Sequence, residues 1–209
     1  MGSVCAVRAR QTWHRLIALG ETFCAAMADQ QPTFQQAMEI TATWLQQWDQ
    51  EEISDEVLAD RIGELVASRD GARGFFVVSL AGDSVLMDRL PEALVLKLRE
   101  AGDGVVDLTA RNLAMSAAMV VHHRTNSDDE QAAGSERVNQ RCTELLRHLD
   151  SQRVKDRLEV LLEAARQNQG DDLAFLERWG YDDRQKQAIG DAVIACLLYT
   201  SDAADEQFG

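Results

Sequence analysis

The stretch NLAMSAAMVVHHRTNSDDEQAAGSERVNQR, residues 112–141, decides the fold class of this 209-residue chain. Its first half is apolar on nearly every side between Leu113 and Val121, which is typical of a central, buried helix. A short polar turn follows, and Ser127 with Glu130 then matches the S-x-x-E capping box that begins a helix. The stretch therefore predicts a helical hairpin.

Helical spacing of apolar residues continues on both sides of this hairpin. The second hairpin helix carries an inward stripe of Val138, Cys142, Leu145 and Leu149. The first hairpin helix is predicted at 105–123. Further helices are predicted at 10–29, 33–49, 54 to about 71, 91–100, after an N-cap at Ser151, at 173–179 and from 182 to at least 195. Short turns join most of them. The sequence thus predicts an all-α protein, an irregular multi-helix bundle of about eight or nine helices.

One segment, residues 74–81, fits either a buried strand or a short buried helix, and its periodicity does not decide between them. No second convincing strand exists to pair with it, and a single strand leaves its backbone hydrogen bonds unmade. We therefore favour a helix over this segment.

The domain organisation follows from the absence of linkers and repeats in the sequence. We expect a single helical domain over residues 1–195, with residues 1–50 a candidate N-terminal helical pair attached loosely to it. Residues 196–206, CLLYTSDAADE, resemble the translation of a sequencing-library adapter. Residues 196–209 are accordingly predicted to be a non-native tail, helical to about Leu198 and without regular structure from about Thr200.

The net charge and the cysteines limit which partners and which cellular compartment we expect for the protein. The formal net charge of −14 disfavours nucleic acid and anionic membrane surfaces as partners, because both require clustered Lys and Arg. Four cysteines without CxxC spacing indicate reduced thiols, and so a cytoplasmic location. The apolar run that ends at His123 falls short of the ~20 residues of a membrane span, so no span is expected.

Polar residues of the hairpin form the candidate site. Asn112, Ser116 and His123 share one sector of the first helix at 100° per residue. Glu130, Arg137 and Arg141 lie along one line of the second helix. One interpretation is a hydrogen-bonded network that fixes how the two helices pack. The other is a pocket in which the two arginines, one turn apart, bind a carboxylate or phosphate.

The sequence contains no motif typical of a metal site or of a catalytic nucleophile. His122 and His123 point about 100° apart on a helix, so they do not readily share one ion, and no metal or other cofactor is predicted. Neither a nucleophile elbow nor a glycine-rich phosphate loop occurs. Near the C-terminus, Trp179 and Tyr181 are interpreted as hydrophobic anchors that dock a terminal hairpin on the body of the protein.

Four segments together resemble an uncharacterised family of small helical proteins from cyanobacteria: GARGFFVVSL, NLAMSAAMVVHHR, GSERVNQR and FLERWGYD. Its pattern of an N-L-A-M-S-x-A-M block, a His-Arg pair, an acidic residue and G-S-x-R-V-x-x-R falls on 112–119, His123-Arg124, Glu130 and 134–141. The resemblance spans about residues 71–190. It implies a cyanobacterial host and a cytoplasmic setting, and it implies no reaction.

Two functions remain open at this stage. The leading hypothesis is a soluble, non-catalytic accessory protein that binds a protein partner, because no catalytic constellation has the spacing that chemistry needs. The alternative is a small enzyme or binder of an anionic metabolite that uses His123, Glu130, Arg137 and Arg141.

Overall fold

A computed structural model describes residues 31–206 of the chain, with side chains described as far as residue 199. Within these residues the chain forms nine α-helices, one 3₁₀ turn and no strand, which confirms the all-α prediction. The elements are α1 (Phe34–Asp49), α2 (Asp55–Val66), α3 (Arg69–Ala81), the 3₁₀ turn (Leu86–Asp88), α4 (Glu92–Ala101), α5 (Asp103–Thr125), α6 (Asp129–His148), α7 (Ser151–Gln167), α8 (Leu173–Trp179) and α9 (Asp183–Glu206). The predicted helix at 10–29, Cys5 and Cys24 lie outside the described residues.

Polar side chains begin most of these helices, although two of the predicted caps are displaced by one residue. Asp128, not Ser127, accepts the hydrogen bond from the amide of Gln131 at the start of α6. Asp150, not Ser151, caps α7 in the same way. Ser127 has a φ of 58°, a left-handed turn conformation that differs from the extended one usual for an N-cap. The predicted capping box was therefore wrong, because aspartate caps as well as serine and the turn uses the serine itself.

The ambiguous segment 74–81 is helical and forms the C-terminal part of α3, as favoured. Gly74 explains how this helix fits: a β-carbon there would lie 2.5 Å from Cβ of Ala37 in α1. The missing side chain lets α1 and α3 cross closely. Phe75 and Phe76 are then completely buried, so tertiary packing stabilises a short helix that its own sequence favours only weakly.

Helix α5 is the centre of the bundle and contacts α3, α4, α6, α7 and α9. By length and composition alone it is also long and apolar enough to cross a membrane, but half of its most apolar window is buried inside the protein. Ala110, Leu113, Ala114 and Ala118 are fully buried. Its neighbour α6 presents the predicted stripe, with Cys142 and Leu145 fully buried. The hairpin of α5 and α6 thus organises the fold.

Helix α9 continues beyond the predicted end of the native sequence. Cys196 is fully buried, and the backbone remains helical to Glu206. The Tyr199 hydroxyl donates to Glu144 at 3.1 Å and accepts from Arg147 at 2.8 Å. The expectation that regular structure ends at about Thr200 was therefore wrong for the backbone. A helix already under way needs only helix-compatible residues to continue, and 201–206 contain neither Gly nor Pro.

Candidate functional site

The polar stripe of α5 is satisfied by the helix itself. Asn112 donates to the carbonyl of Leu108 at 2.8 Å, and Ser116 donates to that of Leu113 at 2.9 Å. From α6, the amide nitrogen of Asn139 donates to both the Leu113 carbonyl and the Ser116 hydroxyl, each at 3.2 Å. Ser116 therefore links α5 to α6, which is what the network interpretation of this stripe requires.

The predicted group around His123 does not assemble through direct contacts. Within the described residues no hydrogen bond or ion pair joins His123 to Glu130, and the ring of His123 packs edge-on against that of His122 at 5.5 Å. The cation that bridges the hairpin is Arg124, which pairs with Glu136. The contacts at this position therefore hold the two helices of the hairpin together and do not form a binding site.

The two arginines of the predicted clamp occupy different environments. Arg137 is about half exposed and lies 4.0 Å from the fully exposed carboxylate of Asp83, a weak pair. Arg141 is 3% exposed and lies inside the protein. They do not form the bidentate anion site that their spacing suggested.

Arg141 instead caps the C-terminus of α3. Its Nε and Nη2 bind both carboxylate oxygens of Asp88 at 2.8 and 2.6 Å. Its remaining donors reach backbone carbonyls of the residues Ser79, Leu80, Gly82 and Ser84 at 2.8–3.2 Å. All five guanidinium N–H groups therefore have acceptors, and none is left for a ligand.

The positive charge of Arg141 is favourable for both the C-terminal end of α3 and the carboxylate of Asp88. The last carbonyls of a helix lack partners and carry partial negative charge, so a buried guanidinium there satisfies them and stabilises the helix end. The hydrogen bonds from Arg141 lower the pKa of the Asp88 carboxyl, against the opposing effect of burial. A smaller cavity of about 500 Å³ adjoins the pair and includes Glu144 and His148. We name Arg141, Asp88 and the four carbonyls the α3 cap.

A larger groove opens on another part of the surface, and sequence analysis did not find it. It measures about 1050 Å³ and runs between the first residues of α1, the α2–α3 junction, α5 and α8. We name it the arginine groove after its four arginines, Arg69, Arg73, Arg111 and Arg178. Its apolar walls include Phe34, Val77, Phe175 and Trp179. Of the predicted site residues, only Asn112 lines it.

Arg111 lies at the centre of a charged network on one side of this groove. Its Nε binds the carboxylate of Asp107 at 3.1 Å, and its Nη2 lies 3.5 Å from that of Asp172. Arg157 of α7 bridges the same two carboxylates, reaching Asp107 at 2.7 Å and Asp172 at 2.5 Å. The Arg111 guanidinium also lies over the ring of Phe175, 5.2 Å from its centroid. Two carboxylates and one aromatic ring therefore hold this side chain in place.

Large apolar side chains of the groove face solvent. Trp179 is 53% exposed and Val77 is 43% exposed. The interpretation of Trp179 as a buried anchor was wrong, whereas Tyr181 is 9% exposed and does anchor the chain. Gly180 explains the difference, because its left-handed conformation ends α8 and turns the chain between the two aromatic residues.

A family model described as uncharacterised conserved protein UCP020893 matches residues 33–196. The chain belongs to this family. The match begins at the N-cap of α1, so it reaches further than the resemblance first suggested at about residue 71. The α3 cap and the arginine groove both lie within the matched residues. No curated protein and no solved structure matches the chain significantly.

Proposed function

We propose that this member of the UCP020893 family is a non-catalytic accessory protein of the cytoplasm that binds a protein partner at the arginine groove. The single observation that carries the proposal is the exposure of Trp179 and Val77 within a groove that also contains four arginines. Tryptophan and arginine are the residues most enriched at the energetic centres of protein interfaces. A groove that combines them with exposed aliphatic surface is suited to a protein segment.

The chemistry of the lining favours binding over catalysis. Its residues include no histidine, cysteine, lysine or tyrosine, and of its two aspartates, Asp107 is paired with Arg111 and Arg157. A guanidinium does not exchange protons near neutral pH, so the arginines do not act as acids or bases. The hydroxyl of Ser68, which lines the groove, accepts from the amide of Gly71 and donates to the carbonyl of Leu65. That hydroxyl serves as a helix cap.

The dimensions of the groove agree with a macromolecular partner. Pockets for small ligands measure about 300–1000 Å³ and enclose most of the ligand. The arginine groove has a volume of about 1050 Å³, just above that range. Its lining includes residues of α1, α3, α5 and α8, so a segment bound there would contact four helices.

The alternative, an anionic metabolite bound by His123, Glu130, Arg137 and Arg141, has no supporting contact. All the N–H donors of Arg141 are hydrogen-bonded within the α3 cap, and Arg137 is about half exposed beside Asp83. No observation favours this function over the groove, so we do not propose it.

A soluble setting belongs to the same proposal. The apolar helix α5 packs against five other helices, as is typical of a core helix. Cys142 is free and buried, in agreement with a reducing compartment. The resemblance described above implies a cyanobacterial host, so a cyanobacterial extract is the appropriate source of the partner.

Site-specific photo-crosslinking tests the proposal. A benzophenone amino acid replaces Val77 in the groove or, as the matched control, Leu96, which is 50% exposed on α4 and does not line the groove. We expect a discrete adduct in extract from position 77 and none from position 96, mapped by mass spectrometry to one segment of one protein. The exposed position of Trp179 makes Trp179→Ala compatible with the fold, and this change should abolish the adduct. Equal adducts from positions 77 and 96, or a position-77 adduct indifferent to Trp179→Ala, would contradict the proposal.

A further inference from the structure

We infer that the segment bound in the arginine groove is acidic and that Arg111 binds one of its carboxylates. This inference rests on the proposed function and specifies the partner by its chemistry. Two independent observations carry it: the local charge of the groove and the geometry of Arg111.

The lining of the groove has more arginines than aspartates, and two of these arginines, Arg73 and Arg111, are paired with aspartates of the protein. The chain as a whole has 35 acidic against 21 basic residues, whereas the groove is lined by four arginines and two aspartates. Within the described residues, no hydrogen bond or ion pair engages Arg69 or Arg178. Charges that converge on an apolar groove without partners attract a ligand of opposite sign.

Arg111 is prepared to receive a carboxylate. Asp107 and Asp172 hold its Nε and Nη2, and Phe175 restricts the plane of its guanidinium. Its Nη1 has no partner among the described residues, and the side chain is 39% exposed. A guanidinium already fixed in position loses less side-chain entropy when it binds, so each new hydrogen bond contributes more to affinity.

Buried Asp172 provides the support for this position. It is 3% exposed, and its two carboxylate oxygens bind Arg157 and Arg111 separately, so it fixes Arg111 from inside the protein. The network Asp172–Arg157–Asp107–Arg111 connects the floor of the groove to α7. We therefore regard Arg157 and Asp172 as positioning residues and Arg111 as the binding residue.

A short acidic protein segment fits these features better than nucleic acid does. A net charge of −14 repels a long polyanion, whose many phosphates extend beyond the groove. A few carboxylates bound locally are screened from the remaining surface beyond the Debye length of about 10 Å at 0.1 M salt. Trp179 and Val77 supply apolar contacts for the side chains between the carboxylates.

Fluorescence polarisation with a defined pair of peptides tests the inference. The probe is a fluorescein-labelled hexapeptide that alternates glutamate and phenylalanine, and its control replaces every glutamate by glutamine. We expect the acidic peptide to bind about tenfold more tightly than its control, because each charge-assisted hydrogen bond is roughly twice as strong as a neutral one. The preference should decrease as salt increases from about 50 to about 300 mM.

Variants of the full chain locate the effect. Arg111→Gln should weaken binding of the acidic peptide about tenfold, and Arg178→Glu, an exposed charge reversal that leaves the network intact, about three- to tenfold. The matched control is Lys155→Glu, on the face of α7 opposite Arg157, where the exposed ammonium has one weak pair at 4.0 Å. It should change the Kd less than about twofold.

The outcomes separate this inference from the proposed function. If both peptides bind equally and Arg178→Glu has no effect, or if neither peptide binds, the inference fails. The crosslink from position 77 then decides the proposed function by itself. If free glutarate displaces the acidic peptide at concentrations equal to those of the peptide, the ligand is a small dicarboxylate and the inference of a protein segment also fails.

Discussion

Arg141 and Arg111 lie on adjacent helices of the same hairpin, and each is paired with aspartate, yet they have opposite relations to solvent. Arg141 is 3% exposed, and every one of its donors is engaged by Asp88 or by carbonyls around the end of α3. Arg111 is 39% exposed, and one of its terminal nitrogens remains without a partner among the described residues. The first has completed its hydrogen bonds within the fold, whereas the second retains donors for a ligand.

The comparison shows why residue type and spacing alone did not separate structure from function. Two arginines one helical turn apart, Arg137 and Arg141, suggested a clamp for an anion. The decisive quantity was the number of donors left after folding, and tertiary contacts with α3 and the 3₁₀ turn determine it. A candidate binding arginine is therefore one that lies in a groove and keeps hydrogen-bond donors without partners after folding.

Removing each guanidinium while keeping its aliphatic stem gives the largest contrast. Arg141→Met should reduce the free energy of unfolding by about 3–5 kcal/mol, because it leaves buried carbonyls and Asp88 without their partner. Arg111→Met should cost about 1 kcal/mol or less, because Arg157 still binds both aspartates and Arg111 itself is partly exposed. Urea denaturation of the two variants beside the wild type measures the difference.

Equal losses of stability in the two variants would contradict the difference between the two arginines. If Arg141→Met unfolded as readily as Arg111→Met, the α3 cap would not be the structural element that we describe. Circular dichroism before denaturation shows whether each variant folds. A failure to fold by Arg141→Met, with Arg111→Met folded, would agree with the role of the α3 cap.

Acid titration gives a smaller effect at the α3 cap. Because hydrogen bonds from Arg141 lower the folded-state pKa of Asp88, this pair stabilises the protein fully above the unfolded-state pKa. The contribution is lost as pH falls through the lowered folded-state pKa. Asp88→Asn should therefore be less stable than the wild type by about 1 kcal/mol near pH 7, and the gap should narrow below about pH 4.

The control for this titration is Asp83→Asn, whose carboxylate is fully exposed and 4.0 Å from Arg137. Urea midpoints measured from neutral to acidic pH should show no comparable gap for this variant. A gap for Asp88→Asn that stayed constant or widened on acidification would rule out the proposed role of the ion pair.

Helical periodicity predicted the fold class because it depends on local sequence. The stripe of α6 and the apolar residues of α5 each repeat over several turns. Cys142, Leu145, Leu113 and Ala114 are fully buried, whereas Val138 of the stripe is partly buried. The ambiguous segment of α3 required an argument about missing strand partners, since its character depends on Gly74 meeting Ala37 from another helix. Caps were displaced where aspartate and serine are adjacent, because both residue types bind the same backbone amide.

The arginine groove could not be predicted from the sequence, because its residues are far apart along the chain. Its arginines lie at positions 69, 73, 111 and 178, and only the packing of α3, α5 and α8 brings them together. Arg111 and Asp107 have the i,i+4 spacing of an ordinary surface pair, and nothing local indicates that Asp172 joins them. The sequence did contain one usable sign, a glycine after Trp179, which permits the turn that leaves the indole exposed.

Amide hydrogen exchange with and without the acidic hexapeptide tests most directly that the groove, and not the hairpin, is the binding surface. We expect slower exchange in α8 (Leu173–Trp179) and at the α2–α3 junction when the peptide is bound, with unchanged exchange between His122 and Glu136. Slower exchange between His122 and Glu136, with α8 unchanged, would show instead that the peptide binds at the hairpin.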